Sequence, residues 1–112
     1  MNAFSITQAE RYIWQRQAAV ALVRLLDEHR DLPVIAWTVG SAGSVLMGRV
    51  NGFQPAATAW AVFETWAAAL ALDERREHSN RTTIYLVAHT RRDSVTIGLH
   101  ADLTREDDGE RP

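Results

Sequence analysis

Ser44-Val45-Leu46-Met47-Gly48 and Ser94-Val95-Thr96-Ile97-Gly98 carry Ser, Val and Gly at matching places, 50 residues apart. Upstream of each lies an apolar, strand-like run, and upstream of that an Ala-rich stretch with helical spacing. The order helix-strand-strand therefore occurs twice. This predicts an α+β fold: a two-layer α/β sandwich of duplicated αββ units, with a four-stranded sheet and two helices on one face. The order αββαββ is a circular permutation of the ferredoxin-like βαββαβ order. Hairpin partners should be neighbours, and if the second strands of the two units meet in the middle the sheet order is first, second, fourth, third, with an approximate two-fold axis. Two repeats are too few for a solenoid.

Working outward, Thr7 with Glu10, and Ser5 with Gln8, have capping-box spacing, so a first helix should start there and run to about Arg30. Tyr12, Ala19, Leu22, Val23 and Leu26 recur at helical spacing and predict a buried stripe, widened by Ile13 and Val20. Asp31-Leu32-Pro33 should end the helix, because Pro disfavours helical geometry in the preceding residue. Strands are expected over residues 34–39 and 45–50, joined by the turn residues Gly40-Ser41-Ala42-Gly43 and stopped by Asn51-Gly52.

Pro55 suits the first turn of a second helix, with Ala59, Phe63, Trp66 and Leu70 on one face and its end near Arg76 to His78. Ser79-Asn80 reads as a loop. Residues 82–89 and 94–101 should form a hairpin around Arg91-Arg92-Asp93. The predicted organisation is one domain over residues 1–102 and a disordered acidic tail over 103–112, which has little to bury.

A chain of 112 residues fits one domain, and 46% hydrophobic residues suffice for one modest core. Cysteine is absent, which excludes disulfides, thiolate catalysis and Cys-based zinc sites and fits a cytoplasmic protein. No apolar run approaches the roughly 18–20 residues that span a bilayer. Phe4 is soon followed by Gln8, Glu10 and Arg11, unlike a signal peptide, and no membrane partner is expected. The net charge of −2 offers no bulk attraction to nucleic acid. All basic residues are Arg and Ala is abundant, the pattern a GC-rich genome writes.

Little in the sequence points to catalysis. His89 and His100 share a face of the expected hairpin, whose turn would put His100 opposite a residue near Tyr85. His89 then lies roughly 10–15 Å along the strand, too far for a shared metal within one subunit. Asp27-Glu28 and Asp73-Glu74 read as solvated helix ends. Ser44 and Ser94 lack a nucleophile-elbow context, and no glycines have phosphate-loop spacing. The expectation is a non-enzymatic protein with no catalytic residue, metal or cofactor.

Three binding surfaces remain. The uncovered sheet face should carry Val34, Ala36, Thr38, Leu46, Val50, Tyr85, Val87, His89 and His100, too apolar to be simply wetted. Arg75, Arg76, Arg81, Arg91 and Arg92 could form a phosphate-binding patch. Trp37, Phe63 and Trp66 could line a small-ligand pocket between sheet and helices. Four tryptophans in so short a chain also point to an interface.

The Ala-rich helix, Asp31-Leu32-Pro33, the strand Val34-Ile35-Ala36-Trp37-Thr38-Val39 and the run Asn51-Gly52-Phe53-Gln54-Pro55-Ala56-Ala57 resemble small hypothetical proteins of streptomycetes and related actinobacteria. The resemblance covers about residues 15 to 101 and implies no function, substrate or site. The function expected from the residues is a binding or adaptor protein acting through protein–protein contacts, as a homodimer joined at the open sheet face. Nucleic-acid binding through the Arg patch and small-ligand binding are the alternatives.

Overall fold

A computed structural model describes residues 6–40, 43–50 and 54–105. Helix α1 spans Gln8–Glu28 and opens on a capping box. The Thr7 hydroxyl accepts from the Glu10 amide at 3.1 Å, and the Glu10 carboxylate accepts the Thr7 amide at 3.0 Å. That backbone hydrogen bond holds the Glu10 carboxyl below its usual range. Thr7 is therefore the N-cap; Ser5 lies outside the described residues.

Strand β1 (Ala36–Val39) pairs antiparallel with β2 (Val45–Val50). Helix α2 (Ala56–Ala69) follows, then β3 (Glu74–Ser79), β4 (Thr83–Arg92) and β5 (Val95–Thr104). The class is α+β, with two helices and a five-stranded mixed sheet of order β1-β2-β5-β4-β3. The order of the four strands expected from sequence is present in it. The central β2–β5 pair is parallel. A two-fold axis normal to the sheet would reverse one strand against the other, so no such axis relates the two units.

The fifth strand is the largest departure. Residues 74–79 were expected to finish the second helix or form a loop; they pair antiparallel with β4. Helix α2 stops earlier because Ala71 takes a left-handed φ of 54°. The Leu72 amide then donates to the Ala67 carbonyl at 3.0 Å and the Ala71 amide to the Ala68 carbonyl at 3.2 Å, a Schellman end. Glu-Arg-Arg-Glu-His-Ser shows no apolar alternation because β3 is an edge strand, exposed along its whole length.

The β4–β5 hairpin turns at Asp93 and Ser94, both at positive φ (50° and 68°), the geometry of a type I′ turn. The arms are therefore longer than expected. Strand β5 continues to Thr104 and buries Leu103, so the domain extends past residue 102. The tail from 106 onward, Ser41-Ala42 and Asn51-Gly52 lie outside the described residues.

One face of the sheet carries the core. Leu46 pairs with Ile97, Gly48 with Leu99 and Val50 with Ala101; Leu99 and Ala101 pair in turn with Ala88 and Leu86. These residues are buried beneath the helices with Phe63, Trp66 and Leu70 of α2. The Trp66 indole donates to the Pro33 carbonyl at 2.7 Å, tying α2 to the α1–β1 connection. Helix α1 meets the core through Ala18 and Leu25, with Ala21 and Leu22 beside them. The stripe expected to be buried is turned outward: Tyr12, Ile13, Ala19, Val23 and Leu26 are exposed, Val20 and Leu22 half-buried. The small Ala18 and Ala21 side chains let the helix settle closely on that side. Among the described residues, no helix is long and apolar enough to cross a membrane.

Candidate functional site

The sheet face away from the helices is open, and the pairing register sets its contents in rows. Ala36, Arg49, His100, Val87 and Arg76 form one row across all five strands. Thr38, Met47, Gly98, His89 and Glu74 form the next. On the other side of the first row, Asp102 lies opposite Tyr85, and Tyr85 opposite His78. Arg91 lies opposite Thr96 at the far end.

The face is thus mixed, with Tyr85, Val87 and Met47 set among Arg49, His100, His89 and Asp102. Tyr85 and Val87 are more than a third exposed. Met47 lies over Gly98, where an added Cβ would come within 2.8 Å of its Cε. Arg49 Nη2 donates to Asp102 Oδ2 at 3.1 Å, so Arg49 is held in place. His78 stacks on Tyr85 with ring centroids 6.1 Å apart. Arg76 and Arg91 form no ion pair among the described residues.

Of the interface residues expected from sequence, Ala36, Thr38, Tyr85, Val87, His89 and His100 are on this face. Val34 is almost wholly exposed but precedes β1. Leu46 and Val50 are a correction: both are fully buried on the opposite face. The cause is a one-residue offset. The sequence repeat aligns Leu46 with Thr96, whereas the sheet pairs Leu46 with Ile97, and one residue along a strand exchanges the faces. Alternation within β2 should have nominated Met47 and Arg49 instead; with Asp102 they are the residues that sequence reasoning missed.

The two-residue turn also corrects the histidines. His100 is opposite Val87 rather than near Tyr85, and His89 opposite Gly98. The pair are diagonal neighbours, about 7–8 Å apart by strand geometry. Among the described residues no three His, Asp or Glu side chains gather to hold a metal ion.

The five arginines of the expected patch do not converge. Arg75 and Arg92 point to the helix side. Arg75 grips Glu64 and lies 5.4 Å from the Phe63 ring centre, and Arg92 Nη2 donates to the Leu70 carbonyl at 3.2 Å. Arg81 sits in the β3–β4 turn. Only Arg76 and Arg91 reach the open face, where Arg49 joins them.

The expected pocket is filled by its own side chains. Trp66 and Phe63 are fully buried, and Trp37 meets Trp66 edge-on at 5.5 Å. A groove of about 360 Å³ lies elsewhere, between the second half of α1 and the start of β5. Val20, Leu25, Val95 and Ile97 floor it, and Arg16, Arg24, Arg92, Glu28 and Asp93 surround it with mixed charge. No protein-family model matches the chain, no curated protein is similar to it, and no solved structure matches it.

Proposed function

We propose that this chain is a non-enzymatic binding module that engages a protein partner through the open face of its sheet. The composition of that face supports the reading. Tyr85, Val87 and Met47 share the face with Arg49, Arg76 and Arg91. Aromatic residues, Met and Arg are the types enriched where proteins meet. Three arginines against Asp102 and Glu74 favour a partner with acidic as well as apolar side chains.

Site-specific photo-crosslinking in cells tests this. A crosslinking residue replacing Tyr85 should yield one protein adduct that Arg76→Glu abolishes, while the same residue replacing Ala57 on the outer side of α2 yields none. Equal labelling from both positions would refute the proposal.

The stacked His78–Tyr85 pair beside Arg76 favours a second reading, single-stranded nucleic acid laid across the sheet. Under that reading, affinity for mixed oligonucleotides falls steeply with salt, and Arg76→Ala with Arg91→Ala flattens the slope. Absence of binding at low salt removes it.

A further inference from the structure

Helix α1 is apolar on two sides, and the sheet covers only one. Ala18 and Leu25 face the core at 0% and 4% exposure, whereas Tyr12, Val23 and Leu26 are 62%, 60% and 44% exposed. Tyr12, Ala19 and Leu26 are spaced by seven, and Arg16 and Val23 fall between them at alternating steps of four and three. These steps of four and three are the spacing of a coiled-coil seam over two heptads, with Arg16 at one of its positions. The seam runs about 21 Å along the helix at 1.5 Å per residue. A helix with apolar residues on opposite sides is normally buried on both.

We propose that the second side of α1 pairs, antiparallel, with α1 of another copy of this chain. Charge sets the direction. In a parallel pair Arg16 would face the partner's Arg16 across the seam. In an antiparallel pair with Val23 against the partner's Ala19, Arg16 falls beside the partner's Leu26 and Asp27. Each contact occurs twice, as two-fold symmetry requires. Arg16 forms no ion pair within the chain among the described residues, and Asp27 only a loose, exposed one to Arg30 at 3.8 Å. Both are available to the second copy. The pairing leaves the open sheet face free and does not depend on what binds there.

Sedimentation equilibrium of the full chain should show a dimer at high micromolar concentration. Val23→Glu should yield a monomer with unchanged helical circular dichroism, because Val23 is 60% exposed and stands outside the core cluster. Arg16→Asp should weaken the dimer by about tenfold, and Arg16→Asp combined with Asp27→Arg should restore it. The cysteine-free chain allows a direct test of direction. A short thiol crosslinker should join a mixture of Arg16→Cys and Leu26→Cys proteins but not Arg16→Cys protein alone. A monomeric wild type overturns the proposal. So does crosslinking of Arg16→Cys alone, or a dimer that survives Val23→Glu. Binding of anionic phospholipid vesicles by a monomeric chain, lost in Val23→Glu, would assign the same surface to a membrane instead.

Discussion

Arg75 on β3 holds both carboxylate oxygens of Glu64 on α2, with Nη1 at 2.8 Å from Oε1 and Nη2 on Oε2. The Trp60 indole donates to the same carboxylate at 3.1 Å. The pair fastens an exposed edge strand to the helical layer, a job that burial does elsewhere in the sheet. Both side chains are about two-fifths exposed, at 41% and 42%, so Glu64→Gln should cost no more than about 1 kcal/mol overall. Its larger effect should be local: faster amide exchange over residues 74–79. The hydrogen bond from Arg75 holds the Glu64 carboxyl below the usual carboxylate range. A depressed native pKa means the contribution is present above the unfolded value, about 4.3, and is lost as pH falls through the native one. Amide exchange of β3, corrected for intrinsic rates, should therefore quicken selectively in acid, and Glu64→Gln should remove that dependence.

Gly48 and Gly98 occupy the same place in the sequence repeat but opposite faces of the sheet. A Cβ on Gly48 would lie 2.8 Å from Leu99 Cδ2, 2.9 Å from Ile35 Cδ1 and 2.9 Å from Trp37 Cζ3, all inside the packed layer. On Gly98 it would press on the free end of Met47, at 2.8 Å from Cε and 3.0 Å from Sδ. Overpacking a core costs about 1–3 kcal/mol. Denaturant titration should find Gly48→Ala destabilised by that amount, and Gly98→Ala altered by less than about 1 kcal/mol, since a thioether can swing aside. Equal losses would contradict the face assignment.

Leu46→Glu and Val87→Glu distinguish the two faces more sharply. Leu46 is wholly buried, and a carboxylate there has no partner, so the variant should lose cooperative unfolding or at least about 3 kcal/mol. Val87 is 38% exposed on the open side, so its variant should fold normally and lose partner binding. Thermal melts of the two variants beside the wild type read the difference.

Ala71 takes the left-handed position that ends α2, where glycine is the usual residue. Ala71→Gly should raise stability by about 1 kcal/mol, because the backbone strain of a side chain at φ 54° is removed. A higher denaturant midpoint at unchanged slope is the expected reading.

The helices and the β1–β2 and β4–β5 hairpins were legible because each rests on local signals; the order of four strands followed only on the condition that the second strands of the two units meet. Thr7 with Glu10 announces α1, Pro55 starts α2, and Ile84, Leu86, Ile97 and Leu99 alternate visibly. What was hidden depends on pairing between distant segments. The parallel register of β2 with β5 joins distant segments, and nothing within either strand encodes that pairing, although the charge of Arg49 alone puts Met47 on the open side of β2. Strand β3 was hidden for another reason: it buries no side chain and is held by β4's backbone and by Arg75. On α1, Tyr12, Ala19, Val23 and Leu26 form a convincing stripe, yet the sheet is met by Ala18 and Leu25, which read as filler. The open face was legible in part, through Tyr85, Val87, His89 and His100. Of its arginines, Arg76 and Arg91 were named as part of a different patch, and Arg49 stood outside the cluster that drew attention.

The parallel pairing of β2 with β5 has a consequence for the order in which the protein is made. As the chain leaves the ribosome, α1, β1 and β2 emerge before the other strands, and β2 has only β1 beside it. Its inner neighbour, β5, follows β3 and β4 in the sequence. The first half therefore waits with the inner edge of β2 unpaired until β5 has been made, and such exposed strands are where nascent chains aggregate. Closing a contact across so much sequence is also the slow step expected of the fold. Truncation before β5 should leave nascent chains that need a chaperone, however well their local elements form.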